Sequence, residues 1–201
     1  MDIDFTEFKF NPLIEYVKNT LDFKDNFKRA SFFRLSNTNR NEDVSCIYDT
    51  MVHDIDLAYH LFTNLDLLLN VKIIDAEAEG DYIYYACVKC TFKNVIIYFN
   101  ANKRSAETER LISIKEDNFH IINLKENKIY KNHLLIAEDN YNNPSKDQLT
   151  KQLDCFVAAC NDKLYWNGTT FSENSKVIEL ADFIEKETKI YLKNNESKSL
   201  M

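Results

Sequence analysis

The chain has 201 residues, 45% of them hydrophobic, which is enough for one domain with a core of its own. Its 32 acidic against 25 basic residues give a formal charge of -7, so a polyanion such as DNA is repelled and nucleic acid is excluded as a partner. Only Gly80 and Gly168 are present, and a dinucleotide-binding or Walker loop needs several glycines within a few positions, so neither can be built here.

The opening Met-Asp-Ile-Asp-Phe-Thr-Glu has no basic and apolar leader pattern, and no uninterrupted apolar stretch reaches a membrane-spanning length. A soluble, cytoplasmic protein with no membrane partner is expected. The odd number of cysteines, five, agrees with reduced thiols.

Asn11-Pro12 opens a helix expected to run to about Leu21, with Pro12 suited to a first turn. Lys28 to Leu35 reads as a strand, followed by a polar loop to Asp43. A longer helix is predicted from Val44 to Phe62. Strands then follow at Leu68–Ala76, Tyr82–Phe92, Val95–Ala101, Arg110–Lys115, Phe119–Leu124 and Lys128–Lys131. Short connections without helices between them imply antiparallel pairing. Helices at Lys146–Cys160 and Ser172–Leu192 close the domain, taken as residues 1–193, and residues 194–201 are expected to be a flexible tail. The fold class is α+β: an open, mainly antiparallel β-sheet with helices packed on one face.

The second helix carries the chemistry. At about 100° per residue, Asp49, His53, Asp56 and His60 fall on one narrow stripe. The other side, with Ile47, Met51, Val52, Ile55, Ala58 and Phe62, must be buried. A carboxylate four residues before a histidine can orient and support its imidazolium, the arrangement of a general base acting on a sugar hydroxyl. A metal fits less well, because His53 and His60 lie about 10.5 Å apart along the axis. A solvated or internally paired polar stripe also meets this spacing, and on the residues alone that reading stays open.

Asp49-Thr50-Met51-Val52-His53-Asp54-Ile55-Asp56 resembles the D-x-x-x-H-x-x-D signature in the C-terminal domain of Gfo/Idh/MocA oxidoreductases. Phe10-Asn11-Pro12 is similar to the R-F-N-P opening of that domain in the sugar-nucleotide branch, with Lys9 in place of arginine. Tyr98-Phe99-Asn100-Ala101-Asn102, Arg110 to Ile114 and the segment Gln148 to Val157 resemble later strands and a helix of the family, in order and spacing, with Asp154 near an expected glutamate.

The resemblance implies the C-terminal fold seen in glyceraldehyde-3-phosphate dehydrogenase. It also implies that His53 is the catalytic acid/base, Asp49 its carboxylate neighbour, Asp56 a helix-anchoring or pocket residue, and Asn11, Arg34 and Lys9 substrate-contacting positions. The family binds NAD(P) on an N-terminal Rossmann domain that also supplies a catalytic lysine, and neither is found in this sequence. The expected function is therefore the substrate-binding and assembly domain of a truncated sugar or sugar-nucleotide dehydrogenase, inactive alone and without a cofactor of its own. The alternative is the C-terminal half of a divided enzyme that gains NAD(P) from a separate Rossmann-domain polypeptide. A homo-oligomer through the open sheet face is the other implied partnership.

Bland roles are expected elsewhere. Cys87 and Cys90 sit three apart in a strand and face opposite sides, so they are structural and bind no metal. Cys155 and Cys160 are expected as buried small fillers. Lys103-Arg104 with Arg110 reads as a solvated turn, a small anion site at a strand end being the sharper alternative; His120 and His133 read as surface or strand residues; and Tyr165, Trp166 and Phe171 read as loop packing, with stacking on a sugar or base as the alternative.

Overall fold

A computed structural model describes residues 7–20, 28–37, 43–62, 65, 67–138, 148–161 and 171–199. A 3-10 turn at Glu7–Phe10 leads into α1 (Pro12–Thr20), then β1 (Arg29–Asn37), a π-helical turn at Ile47–Met51 and α2 (Val52–Leu61). The strands β2 (Leu68–Glu79), β3 (Tyr82–Phe92), β4 (Ile96–Asn102), β5 (Arg104–Lys115), β6 (Phe119–Asn123), β7 (Lys128–Lys131) and β8 (Leu134–Glu138) follow, and α3 (Gln148–Cys160) and α4 (Phe171–Ser199) close the order. The eight strands form one sheet in the order β2-β3-β4-β1-β5-β6-β7-β8. Every pairing is antiparallel except β1 with β4. That exception follows from connectivity: β1 leaves the sheet through the helical segment, and the β2-β3-β4 meander returns beside it.

Period-two alternation selects the buried face. Ala30 and Phe32 of β1, Ala86, Val88 and Cys90 of β3, Ile97, Phe99 and Ala101 of β4, and Ile112 and Ile114 of β5 are sealed in one core. Against them lie Ile14 and Val17 of α1, Ile55 and Ala58 of α2, and Val177, Ala181 and Ile184 of α4. Phe32 stacks on Phe99 at 5.4 Å between ring centroids and meets Phe62 edge-on at 6.4 Å, so β1 sits at the centre of this contact. The alternate residues, among them Phe33, Tyr98, Leu111 and Ile121, remain half-buried on the other face.

Four features differ from the sequence expectations. β5 begins at Arg104, which pairs with Asn37 of β1 beyond a register shift that follows the Leu35–Glu109 pair. β8 was not expected. Its hairpin turns through Asn132 at φ 49° and His133 at φ 68°, a left-handed turn made without the glycine that usually announces one. The last helix runs through Ser199, so residues 194–199 continue it, with Ser197 Oγ donating to the Lys193 carbonyl. Cys155 is half-buried and Cys160 exposed, not buried as expected. α3 lies against the 3-10 turn at Glu7–Phe10 and leaves Leu153, Phe156 and Val157 more than half exposed.

Cys90 points into the core and Cys87 away from it, as their spacing requires. His120 is buried on β6, and His133 is exposed at the turn before β8. Tyr165, Trp166 and Gly168 lie outside the described residues, as does residue 38–42 of the polar loop. No helix among the described residues is long and apolar enough to cross a membrane.

Candidate functional site

The helix expected as one continuous α-helix begins with a π turn, which explains how its polar residues are aimed. Asp49 donates its backbone N–H to the Ser45 carbonyl at 3.0 Å, and Thr50 Oγ1 donates to the Cys46 carbonyl at 2.7 Å. From α4, Glu185 accepts from Ser45 Oγ at 2.6 Å and Asp182 accepts from Tyr48 Oη at 2.5 Å. The last helix thus clamps the turn that presents Asp49. π-bulges of this kind are frequent at functional sites.

Along the stripe, successive residues meet cations from different elements. The Asp49 carboxylate pairs with the Lys103 ammonium at 2.8 Å. Lys103, at the β4–β5 connection, is fully buried, donates to the Val44 carbonyl at 3.1 Å and lies over the Tyr82 ring. It is not the solvated turn residue expected from sequence. Its neighbour Arg104 pairs with Glu79 and covers Tyr84.

His53 comes next. Burial is the largest influence on its imidazole, followed by the nearby Arg34 guanidinium, and together they hold its pKa at about 4. Asp54 and Asp49 pull the other way and Arg110 adds to the depression, with Asp49 the weakest of the five effects. His53 is therefore neutral at pH 7 with a ring lone pair available, and burial and the two arginines make it a weak base.

Arg34 and Arg110 face each other across β1 and β5. Arg34 is held from the helix by Asp54, Nε to Oδ2 at 3.2 Å and Nη2 to Oδ1 at 2.6 Å. Such a two-point fork fixes the plane of the guanidinium. Asp54 was not singled out from sequence. A signal existed, since it lies on the otherwise apolar side of the helix, where a carboxylate requires a cationic partner.

The other expected positions lie in the joint between α1 and α2. Asp56, completely buried, pairs with Lys9 at 2.8 Å, and this ion pair ties α2 to the 3-10 turn at Glu7–Phe10. Asn11, 3% exposed, caps α1 by accepting the Leu13 N–H on Oδ1 at 2.9 Å. His60, whose pKa burial and then Lys18 hold at about 3, meets Lys18 of α1 with 3.5 Å between Nζ and Nε2. The structure thus brings Asp49, His53 and Arg34 to one region, adds Lys103, Asp54 and Arg110, and places Lys9, Asp56 and Asn11 in the joint between α1 and α2. No group of three metal-ligating side chains occurs among the described residues.

Among the described residues no glycine opens a helix that could cradle a dinucleotide pyrophosphate. Gly80 turns the β2–β3 hairpin at φ 59° and opens no helix, so it offers no set of backbone N–H groups for a pyrophosphate.

No protein-family model matches the chain, and none of the curated proteins does. Solved structures match it closely in shape. The UDP-N-acetylglucosamine 3-dehydrogenase GnnA from Acidithiobacillus ferrooxidans superposes with a TM-score of 0.80 at 19% identity, over 92% of this chain and 61% of that one. The dehydrogenase MviM from Clostridium difficile gives a TM-score of 0.69 at 16% identity, over 90% and 60%. The WlbA dehydrogenase from Bordetella pertussis, solved with NADH and UDP-GlcNAcA, gives 0.70 at 10% identity, over 91% and 61%. The chain has the fold of the C-terminal domain of Gfo/Idh/MocA-type dehydrogenases and spans about three-fifths of the length of these relatives.

Proposed function

We propose that this chain is the substrate-binding and assembly domain of an NAD(P)-dependent sugar or sugar-nucleotide dehydrogenase, inactive in hydride transfer by itself. The observation that carries the reading is His53 beside the Arg34–Asp54 fork, on a fold shared with sugar-nucleotide dehydrogenases. His53 accepts the proton of a substrate hydroxyl. Arg34 and Arg110 place positive charge where an alkoxide develops, and Lys103 holds Asp49 at the edge of the site. The half-buried outer face of the sheet is the assembly surface. In this reading the dinucleotide sits on a separate Rossmann domain, so no hydride step is assigned to these residues.

A divided enzyme completed in trans by a separate Rossmann-domain polypeptide is the second reading. The Arg34–Asp54 fork beside His53 is compatible with it, since it keeps a guanidinium oriented next to the imidazole. The test combines the chain, NAD(P) and nucleotide sugars, and follows absorbance at 340 nm. The isolated chain should give no signal. Adding a Rossmann-domain partner should produce one that His53→Ala abolishes. Turnover by the isolated chain that His53→Ala removes would overturn the assignment.

A further inference from the structure

A cavity of about 440 Å³ opens where α1, the C-terminal end of α2 and α3 converge, and its wall includes Glu15, Lys18, Asn19, His60, Lys151 and Asp154. That volume falls in the range of small-molecule sites, roughly 300–1,000 Å³. His60 lies two helical turns beyond His53, about 10.5 Å along the axis, so this space is separate from the candidate dehydrogenase site.

Its charges are unequally matched. Lys9, also on the wall, is paired with Asp56, and Lys151 with Glu15 at 2.8 Å. Lys18 meets the neutral His60 ring and, among the described residues, no carboxylate at ion-pair distance. Burial and then the neighbouring Lys9 disfavour its charged form, with Glu173 opposing them. The Lys18 ammonium borders the cavity beside a second cation, Lys9, and an incoming anion relieves that repulsion. Glu15, Asn19 and Asp154 supply oxygen acceptors for hydroxyl groups, and Lys151 and the Asn19 amide supply donors.

We propose that this cavity is a binding site for a small polyhydroxylated anion, its phosphate or carboxylate group against Lys18 and His60 and its hydroxyls against Glu15, Asn19 and Asp154. Neither His53 nor hydride chemistry enters the site, so His53→Ala leaves binding here unchanged.

Calorimetric titration of the full chain at pH 7 with glucose 6-phosphate, glucuronate, inorganic phosphate and glucose tests it. At least one of the two sugar anions should bind at least about tenfold more tightly than glucose, and which of them binds identifies the anionic group. Lys18→Met should weaken that binding about tenfold or more with an unchanged circular-dichroism melt, since the Lys18 side chain is exposed enough to be lost without harm to the core. His60→Asn serves as a second variant and should weaken it by a smaller factor. Absence of binding by both sugar anions up to about 10 mM, glucose binding as tightly as they do, inorganic phosphate matching them, or full affinity in Lys18→Met would each overturn the proposal.

Discussion

Replacing Lys9 by Met removes the cation facing Asp56 and leaves a carboxylate in the joint between α1 and α2. The side chains of Lys9 and Asp56 are 4% and 1% exposed and lie 2.8 Å apart, so solvent cannot compensate for the lost partner. Breaking a buried pair by deleting one member typically costs about 3–5 kcal/mol, whereas replacing both by apolar groups of similar volume is often neutral or better. Lys9→Met and Asp56→Leu should each lower the unfolding free energy by about 3 kcal/mol or more, and the double variant by far less than the sum. Urea unfolding followed by far-ultraviolet circular dichroism measures all four corners of this cycle, and the denaturant slopes should stay equal if only stability changes. A cost below about 1 kcal/mol for Lys9→Met would refute the reasoning, since that is the value of a hydrated surface pair.

Three further outcomes follow from the same geometry. Arg34→Lys keeps the charge but loses the two-point fork to Asp54, and thermal unfolding should show a loss of about 2 kcal/mol. Asn11→Ala removes the cap on the Leu13 N–H and should cost about 1 kcal/mol in urea, with Asn11→Ser recovering most of it. His53 and His60 have folded pKa values of about 4 and about 3, below the ordinary 6.5, so the unfolded chain takes up protons first on acidification. Their contribution to stability is complete above about pH 6.5 and falls by up to about 1.4 kcal/mol per pH unit for each histidine until the folded values are reached. His53→Asn should flatten the stability profile between pH 6 and about 4, and an unchanged slope would show that the ring is solvated.

Local pattern made much of this protein legible. Alternation placed β3 and β7 at their observed bounds, Asn11-Pro12 marked the start of α1, and the shortage of glycine spoke against a glycine-rich phosphate loop. The Asp49, His53, Asp56 and His60 stripe was visible as a spacing, because helical periodicity is a property of the chain itself.

What that stripe touches was not visible. Lys103 is 54 positions from Asp49, and only the pairing of β4 beside β1 and the clamp from α4 bring its ammonium to that carboxylate. The π turn is held by α4 through hydrogen bonds to residues 134 and 140 positions away, which no local pattern announces. Lys9 and Asp56 likewise became a mutual anchor only once α1 docked on α2, and Asp54 found its role only opposite Arg34. Sequence determines which residues can share a face. Desolvation and the arrival of distant partners decide which of those residues are used in holding the fold and which are left to meet a ligand.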